Sequence, residues 1–126
     1  MKLRVARHTK NLDQMIKFYR DLLGMKILGS FENHENYSGV FLGFLNENWH
    51  LEFTVSDEKP VHKPDEDDLL VFYMDSRDEF ENMLEKFVSA GIKQVKPKNP
   101  YWGKSSATFT DPDGYRIVLT LPLQKS

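Results

Sequence analysis

A pattern that occurs twice limits what this chain can fold into. Leu12, Met15, Ile16 and Tyr19 are apolar at helical spacing, and Phe80, Met83, Leu84 and Phe87 repeat them 68 residues later. Each set follows a short apolar run and a capping residue, Asn11 in the first case and Asp75 or Ser76 in the second. Each set also stops at a glycine, Gly24 or Gly91, which can take the positive φ found just past a helix end. The halves therefore read as an internal duplication. At about 60 residues each half would be marginal alone, so the 126 residues are expected to form one domain built of two modules.

In the first half Leu3 and Val5 alternate with Arg4 and Ala6, a short strand placed before the helix. Strand candidates follow at about 25–31, 37–45 and 48–55, separated by Asn33-His34-Glu35-Asn36 and Asn46-Glu47-Asn48. Residues 57–67 are charged, carry two prolines and show no apolar period, so they are assigned as a linker between module 1–56 and module 68–126. The second module opens with the apolar run 69–74 and continues through its helix to a short strand near 92–96 and a loop ending at Tyr101-Trp102-Gly103. It closes on a hairpin turned by Asp111-Pro112-Asp113-Gly114, where Pro112 presets φ and Gly114 supplies the positive φ of a bulged turn.

Two strands carry a polar face. Trp49, Leu51, Phe53 and Val55 form one side of the first, and His50, Glu52 and Thr54 the other. In the closing strand Tyr115, Ile117, Leu119 and Leu121 pack, while Arg116, Val118 and Thr120 point the opposite way, with Val118 lying 66 residues beyond Glu52. A polar face in a small domain is costly unless wet or paired. Both strands are thus expected to face a shared solvated hollow, the candidate site.

The charge balance, 17 basic against 19 acidic residues with no long block of one sign, argues against nucleic acid or an anionic membrane surface as partner. With no cysteine, disulfides, thiolate metal ligands and thiol nucleophiles are excluded. The start lacks the apolar core of a signal peptide, and no run approaches the ~18 apolar residues of a membrane span, which points to the cytoplasm.

Three stretches carry a family likeness: Asn11-Leu12 through Phe18-Tyr19 to Leu23-Gly24-Met25, His50-Leu51-Glu52-Phe53, and Thr110-Asp111-Pro112-Asp113-Gly114-Tyr115-Arg116-Ile117. Together they resemble the vicinal oxygen chelate superfamily of glyoxalase I, bleomycin resistance proteins and extradiol dioxygenases, over nearly the whole chain. The resemblance implies an α+β fold of two tandem βαβββ modules, curled into a half-open barrel with helices outside. It also implies four metal positions, which fall on Arg4, Glu52, Leu69 and Val118. Only Glu52 can ligate a cation, since a guanidinium is permanently charged and Leu69 and Val118 have no lone pair. A bulge in the first strand would bring His8 to the place of Arg4, with the two positions of the second module still lost. No metal cofactor is therefore expected; zinc, nickel, manganese or iron enters only with the enzymatic alternative.

His50 and Glu52, about 7 Å apart along one strand face, read either as an acid/base or recognition pair or as a structural pair. The carboxylate is expected to favour the imidazolium form of His50. Arg4 and Arg116 could anchor an anionic ligand or pair internally with Glu52 or Glu32. Tyr101 and Trp102 could stack on a flat ligand or anchor their loop. Tyr37, Phe44 and Tyr73 read as core, His34 and His62 as loop bystanders, and Asp111 and Asp113 as turn chemistry. The reading is a metal-independent superfamily member, a homodimer, that binds a small, partly aromatic or anionic molecule. The alternatives are a metal-dependent glyoxalase-like lyase, isomerase or dioxygenase, and a structural or regulatory dimer with no small-molecule ligand.

Overall fold

In the computed structural model, which describes residues 1–121, the chain divides between His62 and Lys63 into two units, inside the charged segment between the halves. The last five positions assigned to the second module, 122–126, lie outside the described residues.

The first unit runs β1 (Leu3–His8), α1 (Leu12–Ile16), β2 (Lys26–His34), β3 (Tyr37–Gly43) and β4 (Trp49–Val55). The Asn11 side chain accepts from the backbone N–H of Gln14 at 3.1 Å, satisfying a donor that the first turn leaves open. The sequence period predicts one continuous α-helix, but the turns from Lys17 to Leu22 are wider, of π type, with the Leu23 amide donating to Phe18 O, five residues back. Adjacent Phe18 and Tyr19 are both buried there. Gly24, at φ 81°, then stops the helix. The strands order as β1-β4-β3-β2, with β1 parallel to β4 and the rest antiparallel. β2 extends to His34, beyond the expected limit, and its turn to β3 holds Asn33, Glu35 and Asn36 at positive φ. One sheet face, with Leu51 and Phe53, packs with Met15 and Tyr19 in the core, where Tyr19 and Phe53 stack at 5.1 Å.

The second unit runs β5 (Leu69–Tyr73), α2 (Arg77–Ser89), β6 (Ser106–Thr110) and β7 (Arg116–Thr120), ordered β5-β7-β6 with β5 parallel to β7. Ser76 is the cap: its hydroxyl accepts from Glu79 N at 3.1 Å, and the Glu79 carboxylate reaches back to Asp75 N at 2.8 Å. Phe80 and Phe87 bury one helix face; Phe87 and Phe109 have ring centroids 4.4 Å apart. The hairpin turn is held by buried Asp111, whose Oδ1 accepts from the amides of Asp113 and Tyr115 at 2.9 and 3.0 Å, so turn chemistry is its role.

Three expectations are corrected here. The strand near 92–96 is reduced to a single antiparallel bridge, Val95 with Thr108, before Pro97 and Pro100 end any ladder. The polar face of β7 is not wet: Val118 is fully buried, and Thr120 is buried with its hydroxyl paired to Ser106 Oγ at 2.7 Å and donating to Ser105 O at 3.1 Å. Tyr37 and Tyr73, assigned to the core, are 47% and 43% exposed. Both lie at the margin of their sheets, Tyr37 opening β3 and Tyr73 closing β5, where the core no longer covers them. Among the described residues no helix is long and apolar enough to cross a membrane.

Candidate functional site

The parallel register of β1 and β4 sets Arg4 opposite His50 and Ala6 opposite Glu52, while β3 brings Phe41 opposite Glu52 and Gly43 opposite His50. Residues in register share a face, so strand pairing alone assembles Arg4, His50, Glu52 and Phe41. Arg4 is the hub. Its Nε donates to His50 Nε2 at 2.9 Å, its Nη1 lies 3.8 Å from Glu52 Oε1, and its Cζ sits 4.6 Å from the Phe41 ring centroid.

This geometry corrects the expected His50–Glu52 interaction. His50 Nε2 accepts from Arg4 Nε, so the partner of the imidazole on this face is the guanidinium and not the Glu52 carboxylate. Glu52 has its charge matched by Arg4 instead. The Arg4 side chain remains 49% exposed and Glu52 only 14%, leaving the cation available to solvent.

The register through β1 is unbroken from Leu3 to His8, so no bulge carries His8 to the place of Arg4. His8 instead anchors the strand end. Its Nδ1 pairs with Thr54 Oγ1 at 2.9 Å, and its Nε2 lies 3.0 Å from Glu58 O and 3.1 Å from Ser56 Oγ.

Glycines shape the rest of the face. A Cβ on Gly39 would meet the Phe31 ring at 2.6 Å, and one on Gly29 would meet Phe41 at 3.1 Å. Phe31 and Phe41 therefore reach over the backbone at Gly39 and Gly29, with ring centroids 5.9 Å apart and planes tilted by 41°. Sequence reasoning missed both rings; the alternation Gly39-Val40-Phe41-Leu42-Gly43 was the available signal, small residues flanking a large one on a single face.

In the second unit Arg116 is mostly covered, with its side chain 16% exposed. Its Nη1 donates to Lys96 O at 3.0 Å and its Nη2 lies 3.7 Å from Glu66 Oε2, so its counter-ion is Glu66, which the sequence did not single out. Trp102 and Arg116 line a narrow crevice of about 160 Å³, open space included, together with Leu69, Asn99 and Thr108. Tyr101 is 73% exposed and touches Trp102 edge-on at 4.8 Å. Thus within the first unit the predicted Arg4, His50 and Glu52 meet, and within the second Trp102 and Arg116 line one crevice, with Tyr101 outside it.

The donor chemistry can be weighed unit by unit. The positions where the sequence resemblance implies metal ligands hold a guanidinium and one carboxylate in the first unit and two aliphatic side chains, Leu69 and Val118, in the second. Such a set does not fit a divalent ion, which needs several neutral or anionic donors. Among the described residues no three His, Asp or Glu side chains gather as potential ligands.

Two βα modules of this topology define the glyoxalase/bleomycin resistance fold, within the superfamily that also includes fosfomycin resistance proteins. The particular group follows from the sequence: residues 3–54 match the YycE-like N-terminal domain and residues 67–120 the YycE-like C-terminal domain, and the chain belongs to the YycE-like family. It is 40% identical to the Bacillus subtilis protein YycE over 92% of this chain and 84% of that one. The crystal structure of YycE superposes with a TM-score of 0.88, covering 99% of this chain and 92% of that chain. The chain is also 31% identical to a lactoylglutathione lyase of Haemophilus influenzae, over 85% of this chain and 82% of the relative. Glyoxalase I of Leishmania major superposes with a TM-score of 0.75 at 25% identity, covering 96% and 86% of the two chains.

Proposed function

We propose that this protein binds a small anionic molecule with an aromatic or apolar part, and that it does so without a divalent ion. The observation that carries the reading is Arg4 itself. A half-exposed guanidinium, held by His50 Nε2 and Glu52 beside an aromatic ring, stands where the family resemblance puts a metal ligand. A fixed cation of this kind attracts a carboxylate or phosphate with planar hydrogen bonds and needs no ion to mediate the contact. His50, Glu52 and Phe41 then act by holding Arg4 in place, and Arg116 with Trp102 offers a second cation beside an aromatic surface. Tyr101, exposed at the same loop, is available to extend that surface.

The reading includes a homodimer. Leu3 and Val5, on edge strand β1, are 58% and 36% exposed, an apolar margin that a second copy would cover.

Two measurements test this. Elemental analysis of protein purified without chelator or affinity-tag metal should find no stoichiometric zinc, nickel, manganese or iron; finding one would favour the chemistry named in the lactoylglutathione lyases instead. A thermal-shift screen should then show saturable stabilisation by small aromatic anions and none by their uncharged analogues. Stabilisation by neither class would leave a scaffold, not a binder. Light scattering at tens of micromolar, expected to give twice the chain mass of 14.8 kDa, tests the dimer.

A further inference from the structure

We propose that the site at Arg4 takes a zwitterion, an α-amino acid with an apolar side chain, whose carboxylate is held by Arg4 and whose ammonium is held by Glu52. This rests on the reading that Arg4 receives the carboxylate of an organic molecule, and it adds the second charge and with it the class of ligand.

Glu52 provides the first observation. Its side chain is only 14% exposed, yet among the described residues its carboxylate accepts no hydrogen bond, and its ion-pair partner Arg4 Nη1 stands 3.8 Å away, too far for one. A carboxylate largely withdrawn from water and left without donors is destabilising. The buried oxygens that lack a partner belong to other residues, so the Glu52 carboxylate keeps an approach from solvent. What it lacks is an N–H donor.

Arg4 provides the second. Its Nε is committed to His50 Nε2 at 2.9 Å, and its Cζ lies 4.6 Å from the Phe41 ring centroid, so the guanidinium is held at one end and along one side. At the other end neither Nη donates a hydrogen bond among the described residues, on a side chain that is 49% exposed. That end is a fork for a carboxylate.

Together the two charges name the class. A simple anion uses Arg4 alone and leaves Glu52 without a donor beside it, whereas a zwitterion supplies what each of them lacks and adds no net charge. In an α-amino acid the ammonium and the carboxylate hang from one carbon, with nitrogen and oxygen roughly 3 Å apart. Arg4 Nη1 and Glu52 Oε1 have a comparable spacing of 3.8 Å, so the four charges alternate around a small rectangle.

The side chain of the ligand follows from the surroundings of the pair. Leu28, Phe31 and Phe41 come within 3.2, 2.6 and 3.1 Å of where a Cβ would stand on Gly43, Gly39 and Gly29. They form an apolar floor on the sheet face that carries Arg4 and Glu52, with Leu28 itself 40% exposed. This is an open sheet surface, so a phenyl or branched aliphatic group lies on it without entering an enclosed space.

L-Phenylalanine is the probe, titrated calorimetrically into the full chain near neutral pH. Hydrocinnamate, which lacks the ammonium, and phenethylamine, which lacks the carboxylate, are the controls. Phenylalanine is expected to bind at least about tenfold more tightly than either, and Glu52→Gln to abolish its advantage over hydrocinnamate. L-Alanine, which keeps both charges without the ring, should bind about tenfold more weakly than phenylalanine. Hydrocinnamate binding as tightly as phenylalanine would overturn the zwitterion and leave the anion reading standing, and binding by neither would overturn both. Phenethylamine as tight as phenylalanine, or an advantage over hydrocinnamate that survives in a folded Glu52→Gln protein, would also overturn the proposal. The ligand comparison in the parent chain decides without any variant having to fold.

Discussion

Arg4 donates through Nε to His50 Nε2 at 2.9 Å while its other end approaches Glu52 at 3.8 Å, so one side chain occupies the space between an imidazole and a carboxylate. Replacing it with histidine would surround that space with two imidazoles and a carboxylate. Arg4→His is therefore expected to bind nickel or zinc at least about tenfold more tightly than the parent protein in calorimetric titration, and Arg4→Met to show no such gain. Equal metal affinity in parent and Arg4→His would mean that the three side chains cannot converge.

The close approach of Phe31 to Gly39 leaves no room for a methyl group, with ring atoms 2.6 Å from where a Cβ would stand. Gly39→Ala should cost about 1–3 kcal/mol in urea denaturation, as overpacking does. Adding Phe31→Ala should recover part of that loss, because the obstructing ring is gone; a double mutant no better than the sum of its parts would locate the strain in the backbone, where Phe53 O lies 3.1 Å away.

Phe87 and Phe109 join α2 to the second sheet, both almost wholly buried. Phe109→Ala should lose about 3–5 kcal/mol of stability, and a double-mutant cycle with Phe87→Ala should give a coupling of about 0.5–1.5 kcal/mol. Additive losses would show that the 4.4 Å ring contact contributes only burial.

Ser76 and Glu79 satisfy two open amides at the start of α2. Ser76→Ala should destabilise by about 1 kcal/mol, and Ser76→Asp should hold most of the parent stability. A loss restricted to the alanine variant in thermal melts would identify the cap as the cause.

Local chemistry made much of this fold readable. Asn11, Ser76, Gly24, Gly91 and the Asp111 turn each act through neighbours a few residues away, and alternation along β4 by itself puts His50 and Glu52 on one face. The π turn was not readable, because the apolar period through Phe18 and Tyr19 is equally compatible with an α-helix. The reduced strand at Val95 depends on whether a ladder forms, and Pro97 ends it after one bridge. At the sites, the misses were long-range. Arg4 came between His50 and Glu52 through the β1–β4 register, and Glu66 reached Arg116 from 50 residues earlier, in a segment whose acidic residues carry no period. Thr108 reads as any alternating strand residue; what distinguishes it is a buried hydroxyl that has no hydrogen-bond partner among the described residues.

With β5-β7-β6 as its order, the second sheet ends on β6, and beyond the Val95 bridge that strand has no further neighbour among the described residues of its unit. Such a margin is where another polypeptide could template itself and begin a ribbon. The flanking segment answers this with composition: Lys93, Lys96 and Lys98 repel a like copy, and Pro97 and Pro100 withhold the amides that a growing ladder would require. Composition of this kind works against fibril seeding at an uncapped strand.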